Sequence, residues 1–239
     1  MQIVSRHWFF IPSPLLGPTT WAAVADLMDE RGQTSTIAST TMTTTGDGDH
    51  VAPWMEEILD HAPPESGRPV VVVGHSAACP RIPLVVEALL EEGWKVTSYI
   101  CVDGRFPDGR AFTDMSAHFG PMLDSIIRPD DYLPPWPRWW GSLVEGLVVD
   151  PSARDQVFSE APPIPRKWFD QVCPVPELPP EVRPAFLSFG PGYAESRDRA
   201  HEAGWLTHQL TGDHLHQVVA PEEVANTLEA MVTCLESGS

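Results

Sequence analysis

Cysteine is scarce in this 239-residue chain, and so is positive charge. The four cysteines, Cys79, Cys101, Cys173 and Cys234, are widely spaced and form no C-x-x-C pair, which argues against a structural zinc site. Cys79 and Cys101 fall in apolar segments, where a free thiol behaves as a small hydrophobe. Only 15 Lys and Arg stand against 33 Asp and Glu, a formal net charge of −18. A surface that acidic repels nucleic acid and anionic lipid, so neither is an expected partner. No apolar run approaches the ~20 residues of a membrane span. The segment Met1–Arg6 leads at once into a strand-like run, without the charged start and long apolar stretch of a secretory leader. The expected location is therefore the cytoplasm, with no membrane association. There is no internal repeat.

What remains is globular: 42% hydrophobic and 20% charged residues, in a length that suits one α/β domain with an elaborated insertion. Short apolar runs alternate with helical patterns, which predicts βαβ units around a mostly parallel sheet flanked by helices. The strand candidates are His7–Ile11, Gln33–Ala38, Val70–Val73, Val96–Val102, Ala185–Phe189 and Trp205–Leu210. Helices are expected from Thr19 or Thr20 to Glu30, over Val51–Leu59, from the Ser76 turn through Leu90, over Ala194–Ala203 and over Pro221–Leu235. Thr40–Asp49 reads as loop. Between Gly104 and Arg183 no convincing strand is visible. That segment holds 14 of the 26 prolines, with modest helical stretches near Met115–Ile127 and Trp139–Val149. Residues 1–103 and 184–239 are thus read as the core, and 104–183 as a helical, Pro/Trp-rich lid insertion.

Three places carry chemistry. Gly74-His75-Ser76-Ala77-Ala78 follows the four valines and fits the elbow pattern G-x-S-x-G, with Ala78 for the last glycine. Such a turn lifts a serine hydroxyl above a sheet and offers the free N–H groups of a helix start to a developing oxyanion. Gly212-Asp213-His214-Leu215-His216 lies between the last strand and the last helix, so His214 is the candidate base and His216 the competitor. A base histidine needs a carboxylate on its other nitrogen. Asp103, directly after Val96–Val102, is the candidate; Glu195 and then Asp198 are the alternatives.

With these motifs in the order Ser, Asp, His, the chain resembles the α/β-hydrolase superfamily over nearly its full length. More narrowly it resembles actinobacterial α/β-fold hydrolases with a Gly-His-Ser-Gly-Ala-Gly-Pro elbow. The matching segments are Ser13–Trp21, Gly74–Pro80, Asp103–Pro107 and Gly212–His216. The resemblance implies an α/β-hydrolase fold and an oxyanion site built from the Ala77 N–H and one from the loop after the first strand. In that loop Pro12 and Pro14 have no N–H to give, so Leu15 is the expected donor, with Ser13 beside it.

The insertion is rich in aromatics: Phe112, Phe119, Trp136, Trp139, Trp140, Phe158, Trp168 and Phe169. Either they form the insertion's own small core, or some of them, Trp136 and Trp140 first, close an apolar pocket. The expected substrate is a hydrophobic small molecule, and Arg105 and Arg110 could meet a polar group on it. No cofactor or metal is called for, and a homodimer is left open. These residues point to a serine hydrolase of an ester, thioester or lactone; the alternative is a non-hydrolytic cyclase or lyase on the same scaffold.

Overall fold

Four consecutive valines leave a strand no polar face, and Val70–His75 (β3) is buried along its whole length in the middle of a parallel sheet. The computed structural model describes residues 5–41, 48–64, 67–115 and 117–238. In chain order the elements are β1 (His7–Ile11), α1 (Thr19–Glu30), β2 (Thr34–Ile37), α2 (Val51–Leu59), β3, α3 (Ile82–Glu91) and β4 (Val96–Val102). Then come α4 (Phe119–Ile126), β5 (Tyr132–Leu133), α5 (Ser142–Glu145), α6 (Pro151–Ser159) and β6 (Ile164–Pro165). The chain closes with β7 (Arg183–Ser188), α7 (Ala194–Glu202), β8 (Leu206–Gln209), α8 (His216–Val219) and α9 (Pro221–Glu236). Part of the Thr40–Asp49 loop, 42–47, and the start of the Met1–Arg6 segment, 1–4, lie outside the described residues.

Six strands pair in the order β2-β1-β3-β4-β7-β8, all parallel. The chain leaves β1 to one side for β2, then returns to its other side for β3. The strand order therefore reverses between β1 and β3, and the crevice beyond their carboxyl ends is where open α/β sheets bind ligands.

The two-residue period of the strands divides the core. Trp8, Phe10, Val71, Val73, Ile100, Val102, Ala185 and Leu187 face α1 and α9, against Trp21, Val24, Met28, Val224, Leu228 and Val232. Phe9, Ile11, Val72, Cys101 and Phe186 face the other way, against Trp54 and Ile58 of α2 and Val85, Val86 and Leu89 of α3.

Arg183, read as the end of the insertion, already begins β7, and among the described residues 104–182 add no strand to this sheet. They do contain one small ladder that the sequence reading lacked: β5 pairs antiparallel with β6. Two-residue strands, one holding Pro165, are too short to show a period. The aromatics of this segment do not build a separate core. Phe112, Leu123, Leu133, Ile164, Trp168 and Phe169 belong to the same cluster as the α3 face of the sheet. Among the described residues no helix is long and apolar enough to cross a membrane.

Candidate active site

The turn after β3 is tight because its neighbours are small. A Cβ on Gly74 would lie 2.3 Å from Ile82 Cδ1, so glycine lets strand and helix meet there without displacing that side chain. Ala78 fits fully buried where the elbow pattern has its last glycine. Ser76 sits at φ +56°, in the left-handed region that a non-glycine residue occupies at a cost of about 1–3 kcal/mol. A 3-10 turn over Ser76–Arg81 then leads into α3.

Asp103 follows β4 directly and is strained in the same sense, at φ +41°. Its N–H donates to Leu187 O at 2.7 Å, and its Oδ1 accepts the Phe189 N–H at 2.8 Å. Both bonds tie it to the end of β7. Its other oxygen, Oδ2, accepts Nδ1–H of His214 at 2.7 Å. With that proton on Nδ1, Nε2 of His214 is an acceptor, and Ser76 Oγ lies 2.8 Å from it. The structure thus joins Ser76, His214 and Asp103 in one hydrogen-bonded line.

The alternatives lie elsewhere. Glu195 is exposed in the first turn of α7, and Asp198 pairs with Arg197 on the surface. His216 turns away, with Nε2 2.8 Å from Glu223 and its ring against Phe189.

Three rings hem in the His214 imidazole: His75 at 4.8 Å, Tyr193 at 5.5 Å and Trp136 at 5.9 Å between centroids. His75, unassigned in the elbow pattern, is fully buried and donates Nε2–H to the His214 carbonyl at 2.9 Å. Burial, helped by the nearby His214, pushes its pKa down to about 3, so His75 stays neutral and keeps that donor proton.

The acid loop passes under the elbow. A Cβ on Gly104 would lie 2.2 Å from Ser76 O and 2.5 Å from Cys79 Sγ. Gly104→Ala must push the backbone of one loop off the other. The expected cost is about 2–3 kcal/mol, which lowers Tm by roughly 4–12 °C in a chain of this size. Differential scanning calorimetry of the variant beside the parent chain measures the shift.

Arg105 and Arg110, considered as substrate contacts, are used structurally instead. Both bind the buried Asp108 carboxylate, as does Arg199 from α7. Burial alone would raise Asp108, but hydrogen bonds from Arg110 and Arg199 outweigh it and hold its pKa at about 2. A carboxylate depressed from 3.8 stabilises the fold above that pH and loses the effect as pH falls towards 2. Asp108→Asn should therefore cost about 3 kcal/mol at pH 7, since it leaves Arg105 buried without its anion. The gap to the parent chain should begin to narrow below about pH 4 and close only as pH falls through about 2; urea unfolding at stepped pH measures it.

A cavity of about 400 Å³ opens over Ser76. Ala77, Leu15, Trp136 and Trp140 line it, together with Phe112, Phe119, Trp139 and Phe169 of the insertion. Ser13 does not. It is buried, and its hydroxyl accepts the Leu15 N–H at 3.3 Å to close the turn. Trp168 is also absent from the lining: it is fully buried, with the Arg81 guanidinium 3.5 Å over its ring. Phe158 packs instead in a satellite cluster with Leu16 and Leu215.

The sequence reading missed Tyr193 and Phe189, which line the cavity from the end of β7. It also missed Arg81, fully buried, donating to Ala77 O at 3.4 Å and Trp168 O at 3.3 Å. Neither Lys nor Arg is among the described lining residues. Among the described residues no group of three or more His, Cys, Asp or Glu could hold a metal ion.

The sequence matches no family model and no curated protein. Solved structures do match. An extracellular α/β-hydrolase from a Paenibacillus species superposes with a TM-score of 0.71 at 14% identity, over 95% of this chain and 98% of that one. Tomato methylketone synthase I in complex with 2-tridecanone gives 0.70 at 15%, over 98% and 100%. A pyrethroid hydrolase gives 0.69 at 14%, over 96% and 98%. This chain has the α/β-hydrolase fold. In that fold the ends of β1, β3, β4 and β7 and the loop before α8 converge on one edge of the sheet, and Leu15, Ser76, Asp103, Tyr193 and His214 all lie there.

Proposed function

We propose that the protein is a serine hydrolase that cleaves an ester, thioester or lactone of a hydrophobic small molecule. The observation that carries this reading is the line Ser76 Oγ–His214 Nε2–His214 Nδ1–Asp103 Oδ2, at 2.8 and 2.7 Å, opening into an aromatic cavity.

In the proposed reaction His214 takes the Ser76 proton as Oγ attacks the carbonyl carbon. It then hands the proton to the leaving group, while Asp103 holds the imidazole in the right tautomer. The Ala77 N–H, at the start of the 3-10 turn, is the first oxyanion donor and the Leu15 N–H the second. The second is weak at rest, since Ser13 Oγ shares it at 3.3 Å.

Aromatic walls without Lys or Arg favour an apolar acyl group over a phosphate or carboxylate. In our reading residues 104–183 serve as a lid, a role supported by Trp136, Trp139 and Trp140 lining the cavity over Ser76. The Gly74–Pro80 segment supports placing the chain near actinobacterial hydrolases. Cytoplasmic residence is part of the same proposal: Cys79 and Cys101 are buried as free neighbouring thiols, as a reducing compartment would keep them.

The proline-rich loop favours one second reading, a cyclase or lyase that needs no strong oxyanion site. Turnover in H₂¹⁸O separates the two. Hydrolysis puts one heavy oxygen into the acid product, whereas a product of unchanged mass overturns the hydrolase.

A further inference from the structure

Helix α1 starts without a cap of its own. Its N-cap is Pro18, whose ring offers no acceptor to the first N–H groups, and its first turn holds no acid. The insertion supplies both. Glu160 accepts the Thr19 N–H on Oε2 at 2.9 Å and the Thr19 hydroxyl on Oε1. The seat is close: a Cβ on Gly17 would overlap the Cβ and Oε2 of Glu160. In its own helix Glu160 is misplaced. It is the C-cap of α6, where the helix dipole disfavours a negative charge. Its carboxylate serves α1 instead, 141 residues away in the chain.

This clasp adjoins the candidate site. Leu16, next to the second oxyanion donor, is buried in one cluster with Val148, Val157 and Ala161 of the insertion and with Leu215, which follows His214. Residues 148–161 thus brace both the loop that carries the Leu15 N–H and the loop that carries the base. The first of these has few bonds of its own. Leu16 N–H donates to Ser13 O at 2.9 Å, Leu15 N–H shares the Ser13 hydroxyl at 3.3 Å, and Pro12 and Pro14 give none.

We propose that Glu160 is a positioning residue: by clasping Thr19 it fixes the Leu15–Thr19 segment so that the Leu15 N–H meets the developing oxyanion. The proposal rests on the hydrolase reading, in which that N–H is the second oxyanion donor. Glu160 does not line the cavity and touches no reacting atom. Its effect belongs to the transition state, because an oxyanion donor must lie about 2.7–3.1 Å from the oxygen of the tetrahedral intermediate, not from that of the bound carbonyl. A loosened loop therefore costs turnover and leaves substrate binding alone.

The test is Glu160→Ala with a p-nitrophenyl alkanoate. Its kcat should fall about 10- to 30-fold, short of the roughly 100- to 1,000-fold of deleting a donor outright, with KM within about twofold of the parent value. An aryl trifluoromethyl ketone, whose adduct with Ser76 carries an oxyanion, should lose affinity by the same factor as kcat/KM. Tm should fall by roughly 2–8 °C, the effect of a lost cap. Thr19→Val removes only the hydroxyl of the clasp and reads the role even where Glu160→Ala does not fold. It should lower kcat about threefold, and should add no further loss in the Glu160→Ala background. A lower Tm with kcat and ketone affinity unchanged makes Glu160 a brace of the fold and overturns the positioning role. So do additive losses in the double variant, or a Thr19→Val chain with the parent's kcat and ketone affinity. A parent chain that neither turns over the ester nor binds the ketone overturns the hydrolase reading itself.

Discussion

Ser76→Ala is expected to lower kcat on an activated aryl ester by about 10⁵, leaving KM nearly unchanged and the fold intact. The structure gives reasons for each part. The hydroxyl is the one group on the line to His214 that can become a covalent acyl carrier. Its removal leaves the other members in place: His214 keeps its bond to Asp103 and its contacts with His75, Tyr193 and Trp136. The cavity walls are untouched, so ground-state binding should persist. The residual rate is what binding and the oxyanion donors supply alone. Stopped-flow kinetics with the parent and variant chains read both numbers. A variant that keeps more than a tenth of the parent kcat would rule out the acyl-serine route.

Asp103→Asn is the second large effect, about 10⁴ in kcat. The mechanism is a forced tautomer. Phe189 N–H holds one oxygen of Asp103, so in the variant the amide oxygen is drawn to that donor. The amide NH₂ then faces His214 Nδ1. Nδ1 must accept, the ring proton moves to Nε2, and Nε2 can no longer receive the proton of Ser76. Glu195→Gln is the matched control and should change kcat by less than twofold, since Glu195 is exposed on α7. Full activity in Asp103→Asn together with loss in Glu195→Gln would reverse the assignment of the acid. Crystals of the asparagine variant should show Ser76 and His214 undisplaced, which separates a tautomer effect from a folding defect.

Much of this was legible in the sequence, for identifiable reasons. A run of four valines between breakers can only be a strand buried on both faces, and Gly74-His75-Ser76-Ala77-Ala78 after it has the small neighbours that a tight elbow needs. The longer core helices and the six main strands were readable to within a few residues. The spatial choices were harder. Asp103 over Glu195 depends on which strand end lies under the elbow, and that is fixed by the contact of Gly104 with Ser76 and Cys79.

Tyr193 carries no motif and sits in a short 3-10 turn without a period. The placement of Arg81 was hidden by its charge. A guanidinium is normally solvated, and this one is buried only because it stacks on Trp168 and finds two carbonyls. Burial pulls its pKa down to about 10, which still leaves it charged at neutral pH. Arg105 and Arg110 misled for the converse reason: next to the acid loop they suggested substrate, but Asp108, between them in the chain, takes both. Ser13 pointed at the oxyanion site in sequence and inward in space, because its hydroxyl closes the turn that places Leu15.

The most direct measurement is intact mass spectrometry of the parent chain after incubation with a fluorophosphonate, followed by peptide mapping. One adduct per chain, on Ser76 and absent from Ser76→Ala, is the predicted result. An unmodified parent chain, or an adduct on another residue that persists in Ser76→Ala, would contradict a nucleophile at the end of β3.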